Sequence, residues 1–199
     1  RNIEQGRDAI SPNRHKEISN TEELLDFINY LQKISGKPVG FKTALGDVKW
    51  VETLCLKIKK RGEEKAPDFI TIDGAEGGTG ASPMMLMDNS AMSIIKALPE
   101  VAAILEKHGL KKRIPLIASG KLVTAADVAW AMALGADYVV SARGFMFSIG
   151  CIMAMKCHTD RCPSGVATHD PDLQKALKPH DKKDQVRNYV HRIKEEASV

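Results

Sequence analysis

The chain has 199 residues, 43% of them hydrophobic, 27% charged and 5% aromatic, with a formal net charge of +4. That length suits one domain with a substantial core, in a composition ordinary for a soluble globular protein. No apolar run approaches the roughly 18 residues of a membrane-spanning helix, and the densest basic stretches, Lys57 to Arg61 and Lys182 to Lys183, sit among acids and read as solvated helix surface rather than a nucleic-acid patch.

In chain order, the first periodic segment starts at Thr21, read as a capping residue, with Leu24, Leu25, Ile28 and Leu31 at helical spacing. A short strand is expected over 38–42, closing on Lys42. Helix follows from Asp47 to Lys60, its inward stripe formed by Val48, Val51, Leu54, Cys55 and Ile58. Strands are expected at 68–73, 114–119 and 138–141, with helices over 91–108 and 124–134 between them and a glycine stop at Gly135. Such short apolar strands are those covered on both faces. The polar tail, 171–199, is expected to end in a surface helix from about Asp184. The order is therefore a helix and then four strand–helix units, which implies a parallel α/β sheet. An open doubly wound sheet and part of a (β/α)₈ barrel both fit, and four strands amount to half of such a barrel. No secretory segment is recognised, and the opening at Arg1 without methionine reads as that of a piece of something longer. A reducing, cytoplasmic setting is expected for the four cysteines.

Ligands of parallel α/β folds bind beyond the carboxyl ends of the strands. The segments there are chemically distinctive: Lys42, then Asp73-Gly-Ala-Glu-Gly-Gly-Thr-Gly-Ala-Ser82, then Ser119-Gly120-Lys121, then Ala142-Arg143-Gly144. Gly77, Gly78 and Gly80 allow close backbone approach to a flat ligand, though loops use glycine for turns as well. Two successive strand ends that each carry a glycine and a cation before a helix suit a phosphate; a turn glycine beside a solvated cation is the bland reading. Cys151, Cys157 and Cys162 are spaced C-x₅-C-x₄-C, with Pro163 after the last. Thiolates suit iron–sulfur clusters or zinc. A zinc site needs a fourth ligand, which His158 or His169 could supply, and a cluster of three irons needs three thiolates. Unligated thiols remain the third reading. Cys55, on an apolar helical stripe, reads as core. Lys42 either reaches solvent or, inside a barrel mouth, faces a reduced flavin's anionic edge or a substrate carboxylate.

The segment Gly150-Cys-Ile-Met-Ala-Met-Lys-Cys-His-Thr-Asp-Arg-Cys-Pro-Ser-Gly-Val-Ala-Thr-His-Asp-Pro-Asp-Leu173 resembles the cluster-binding segment of glutamate synthases. Gly77-Gly-Thr-Gly-Ala-Ser-Pro83 resembles the loop that family places over its flavin, and Ile10-Ser-Pro12 with His15 and the strand carrying Lys42 match too. The resemblance runs from about residue 8 to 195 and corresponds to strands five to eight of the family's flavin domain.

This resemblance implies a single segment, 1–199, forming the C-terminal half of an FMN-binding (β/α)₈ barrel, with a cluster-binding segment at 145–170. It implies an oxidoreductase that reduces 2-iminoglutarate, formed from 2-oxoglutarate and ammonia, to L-glutamate. FMN and a 3Fe–4S cluster are the implied cofactors. The implied partners are an electron donor, either ferredoxin or an NAD(P)H-oxidising protein, and the N-terminal half of the barrel; no nucleic acid or membrane is expected. By position, Cys151, Cys157 and Cys162 are the cluster ligands, and Lys42 and Glu76 the catalytic candidates. Lys42, Gly77, Gly78, Thr79, Gly80, Ser119, Gly120, Lys121, Arg143 and Gly144 are the residues expected around FMN. Ala75-Glu76 stand where the synthases have His-Asp, Ser119-Gly120-Lys121 where they have Asp-Gly-Gly, and Arg143 where they have a small polar residue. These departures look like the single-domain, glutamate synthase-related FMN proteins. A related FMN barrel acting on another imine or carbonyl, such as a methylglutamate-type synthase, is the rival enzyme reading. A non-catalytic binding module stabilised by metal is the rival from another class.

Overall fold

The computed structural model describes residues 6–7, 15–77, 82 and 85–198. Four strands, β1 (Phe41–Ala44), β2 (Ile70–Asp73), β3 (Leu116–Ser119) and β4 (Tyr138–Val140), form one parallel sheet in the order β1-β2-β3-β4. The helices are α1 (Thr21–Ser35), α2 (Lys49–Arg61), α3 (Ile94–Lys107), α4 (Ala125–Ala133), α5 (Ala142–Ser148), α6 (Pro171–Gln174) and α7 (Pro179–Ala197). A doubly wound sheet reverses its strand order at a switch point. This sheet has no reversal, and right-handed crossovers then carry its helices to one face.

The two faces of the sheet differ accordingly. Ile70, Ile72, Leu116 and Ala118 point into a core shared with Leu25 of α1, Leu54 and Ile58 of α2, Leu98 and Leu105 of α3 and Ala131 of α4. Register puts Lys42, Thr71, Ile117 and Tyr138 on the opposite face, with Ala44, Asp73, Ser119 and Val140 one step beyond. On that face Tyr138 is 64% and Val140 43% exposed. One face is therefore covered and the other partly bare, so strands read as covered on both sides are covered by these residues on one.

Local chemistry accounts for the element ends. Asn20, not Thr21, caps α1: its side chain accepts from the backbone N–H groups of Glu22 and Glu23, and Thr21 is the first helical residue. Gly36 ends the helix in the left-handed conformation at φ 61°. Thr124 and Asp127 form a reciprocal capping box on α4. Cys55 is fully buried, and burial pushes its thiol up to about 11, as befits a core residue. The basic stretch of α2 is paired with acids: Lys57 with Glu22, Lys59 with Glu63, Arg61 with Glu22 and Asp26. Among the described residues no helix is long and apolar enough to cross a membrane.

The tail differs from expectation. Its helix begins at Pro179, with proline in the first turn, five residues before Asp184. It also packs against α4 and α5, so it is not a free surface helix. Val186, Tyr189 and Ile193, at helical spacing, are among its half-buried residues.

Candidate active site

Parallel register aligns the carboxyl ends of β1, β2 and β3 at Ala44, Asp73 and Ser119, with Val140 beside them on β4. A cavity of about 260 Å³ opens at this edge. Its wall carries Lys42, Glu76, Gly77, Ser119, Gly120, Lys121 and Arg143 from the strand ends and the loops after them. The same wall carries Cys151, Cys157 and Cys162. Four segments far apart in the chain thus meet in one place because the strands are parallel and adjacent.

Lys42 is the second residue of β1 rather than its end. Its Nζ lies 2.7 Å from a carboxylate oxygen of Asp73. Asp73 sits one step further along the neighbouring strand on the same face, a diagonal neighbour within reach of a long side chain. Asp73 was not among the expected site residues; the same-face, two-residue offset was the signal for it.

Glu76 lines the cavity, yet both its carboxylate oxygens accept the backbone N–H of Ile94, at 3.0 and 3.2 Å. That N–H opens α3, where a negative charge is stabilised by the helix's exposed donors. Gly74 makes the reach possible: a Cβ there would lie 1.9 Å from Glu76 Oε2 and 2.8 Å from the Ile94 nitrogen. Glu76 therefore holds the loop after β2 onto α3, a positioning part that its place in the chain did not reveal.

Gly120 has φ 139°, and a Cβ on it would crowd Glu76 Oε2 and the Gly74 nitrogen, both at 3.1 Å. Backbone geometry and packing demand glycine here. Gly77 is different. A Cβ there would meet nothing closer than the Gly74 carbonyl oxygen at 3.9 Å, so no described packing excludes a side chain. Gly78, Thr79 and Gly80 lie outside the described residues, as do Ile10, Ser11 and Pro12. His15 packs its ring against Phe27.

Lys121 takes φ 49° and pairs with Asp88 at 2.9 Å; Asp88 takes φ 65° and donates its backbone N–H to the Ala75 carbonyl. This ties the loop after β3 to the loop after β2. The other described non-glycine residues at positive φ are Met153, Met155 and Asp160, all in the cysteine segment. Such conformations cost free energy and concentrate where surrounding structure enforces them, often at functional sites. Asp160 organises its end of the segment: its side chain accepts the His169 N–H and its carbonyl the Thr168 hydroxyl.

Gly144 is not on the cavity wall. Its bare side receives the hydroxyl of Tyr189 from α7, which a Cβ would meet at 1.8 Å.

Cys162 is 8% exposed, Cys151 half-buried and Cys157 exposed. Burial pushes the Cys162 thiol up, but the Ser164 hydroxyl at 3.3 Å and the backbone N–H groups of Ala167, Ser164 and Val166 outweigh it, bringing it down to about 7. That nest of donors favours a thiolate. No three described His, Cys, Asp or Glu side chains gather as a single-ion site. His158 and His169 line a separate depression with Cys157.

Residues 1–199 match the family described as conserved region in glutamate synthase. The chain belongs to the glutamate synthase family. Within that family it is 50% identical over 195 residues to the glutamate synthase large subunit-like protein YerD of Bacillus subtilis, covering 98% of this chain and 37% of that protein. It is 36% identical over 201 residues to the archaeal glutamate synthase (NADPH) of Methanocaldococcus jannaschii, covering 98% and 38% respectively. Against the glutamate synthase (NADPH) large chain of Bacillus subtilis it is 35% identical, covering 96% of this chain and 12% of that one. The chain therefore spans 37% and 38% of the length of the first two glutamate synthase relatives. Flavocytochrome b2 aligns over 87% of the chain and 48% of its own at 19% identity, with a TM-score of 0.33, too slight a likeness to bear on fold or cofactor.

Proposed function

We infer that this segment is the flavin- and cluster-bearing part of a glutamate synthase-type oxidoreductase, reducing 2-iminoglutarate to L-glutamate. The observation that carries this reading is the single cavity shared by the three thiols and the basic, glycine-bearing strand ends. When bound, FMN supplies the hydride and a 3Fe–4S cluster relays single electrons to it.

The residues present fit both groups. Three thiols on one wall are the donor set a three-iron cluster takes, each thiolate binding its own iron. Gly77 leaves backbone open to a flat ring, and Gly120, Lys121 and Arg143 offer donors and positive charge for a phosphate. The cavity of about 260 Å³ lies just below the roughly 300–1,000 Å³ usual for small-molecule sites. The bare face of the sheet continues it, consistent with these four strands being half of a (β/α)₈ barrel. Lys42 stands where it would orient a carboxylate substrate, its charge balanced meanwhile by Asp73. Cys162 is held ready to ligate, with hydrogen bonds already directed at its sulfur.

Glu76 favours keeping the related-enzyme reading in view. Its carboxylate lines the cavity but also accepts the Ile94 N–H, and Ala75 beside it has no titratable group where the synthases carry histidine. The test is made on the full-length protein. Visible absorbance with flavin and iron counts should show one FMN and about three irons per chain. Turnover of 2-oxoglutarate with ammonia and an artificial reductant should yield glutamate. Flavin and iron without glutamate would assign the site to another imine or carbonyl, and zinc without flavin or iron would make it a binding module.

A further inference from the structure

Tyr189, on the helix expected to be a free surface element, makes a connection that the family resemblance does not require. Its hydroxyl donates to the Val123 carbonyl at 2.7 Å. A phenol has one proton, so at the second contact, 2.7 Å from Ser141 Oγ, the serine hydroxyl is the donor and Tyr189 the acceptor. Val123 lies two residues after Lys121, in the loop leaving β3; Ser141 lies two residues before Arg143, at the end of β4. One phenol oxygen thus joins the loop after β3, which carries Lys121, to the residue that opens α5, which carries Arg143; both cations line the cavity. The ring packs edge-on against Phe145 with centroids 5.3 Å apart, and Gly144 provides the slot through which the hydroxyl reaches Ser141.

We propose that Tyr189 is a positioning residue for the phosphate end of the cavity: it sets the spacing between the loop carrying Gly120-Lys121 and the first turn of α5 carrying Arg143, and thereby selects a phosphorylated ligand over its unphosphorylated form. The proposal rests on the flavin reading above, because FMN and riboflavin differ only in that phosphate. Tyr189 is not on the cavity wall, so its effect on a ligand there is one of geometry. Oriented donors lose affinity steeply when their separation changes, whereas apolar contact with Leu122, Val140 and Met146 on the wall is non-directional and tolerates small shifts.

The test compares FMN and riboflavin binding to the full-length, flavin-stripped protein by quenching of flavin fluorescence. Wild type should prefer FMN strongly. Tyr189→Phe keeps the ring on Phe145 and removes both hydrogen bonds. It should weaken FMN by about tenfold, the worth of one to two hydrogen bonds, and leave riboflavin unchanged, so that the preference falls by the same factor. Ser141→Ala removes only the serine's bond and should shift the preference in the same direction by less, which provides a second reading should Tyr189→Phe fold poorly. Equal weakening of both flavins would reduce Tyr189 to a general packing role and overturn the proposal. A wild-type-like preference in both variants would overturn it too, with the flavin reading intact. A wild type that binds neither flavin would overturn that reading and this one together.

Discussion

At Cys162, burial and hydrogen bonding oppose one another and hydrogen bonding prevails, while Cys55, buried without donors of that kind, goes the other way. The sequence spacing singled out Cys151, Cys157 and Cys162 and set Cys55 apart, and the structure brings those three to one cavity wall. Cys157 is the most exposed of them, so its replacement disturbs the packing least and isolates its part in ligation. In the full-length protein Cys157→Ser should remove the cluster's visible absorbance and most of the iron, while FMN content stays near wild type. Iron content equal to wild type would show that Cys157 is not a ligand. Glycines were harder to read than cysteines. Gly74, Gly77, Gly120 and Gly144 look alike in a sequence, yet one admits a carboxylate, one leaves a wall bare, one takes a positive φ and one receives a phenol. The difference lies in what approaches each of them from elsewhere in the chain.

Among the elements, α4 shows how a loop next to the cavity is held. Burial raises the Asp127 carboxyl, but the N–H groups of Thr124 and Val123 and the Thr124 hydroxyl outweigh it, and the group is held below its ordinary 3.8. A carboxyl depressed in the folded state stabilises the fold fully above its unfolded value and loses that contribution as pH falls through the folded one. Asp127→Asn keeps an acceptor but removes the charge at the helix start. It should cost about 0.5–1 kcal/mol at pH 7, and the difference from wild type should close as pH falls below about 4. Urea unfolding followed by tryptophan fluorescence at both pH values measures this; a difference that persists in acid would mean the charge is not its source. Strand positions were legible to within three residues at their starts, because β-branched runs between turn residues mark them. The first strand was misplaced for a tertiary reason. Val39 exchanges bonds with Asp68, its N–H to the carboxylate and its carbonyl to the Asp68 N–H. The regular ladder therefore begins only at Phe41. Helix α5 was expected after the fourth strand end but without bounds, because no side chain caps it, and the stripe of Val186, Tyr189 and Ile193 on α7 was passed over amid 19 mostly polar residues.

For the whole molecule, the unequal faces of the sheet matter most. Tyr138 and Val140 lie bare on the face opposite the core, and among the described residues β1 and β4 each leave one edge unpaired. Open edges and apolar surface promote association. A polypeptide limited to residues 1–199 should therefore self-associate or aggregate and bind FMN poorly, as light scattering coupled to size-exclusion chromatography would show. A monodisperse monomer with tight FMN binding would mean the face needs no cover. The alternation of strands and helices implied a parallel sheet but left its strand order open between a doubly wound sheet and part of a barrel; the bare face was expected only through the resemblance to half a barrel, since a sequence shows which residues are apolar and not what will lie against them. The reach of Tyr189 to Val123, across 66 residues of chain, has a bearing on how the protein is made. A ribosome releases β3 and β4 well before it releases this tyrosine, so the two loops emerge untethered. They come into register only after the closing helix has left the exit tunnel and docked.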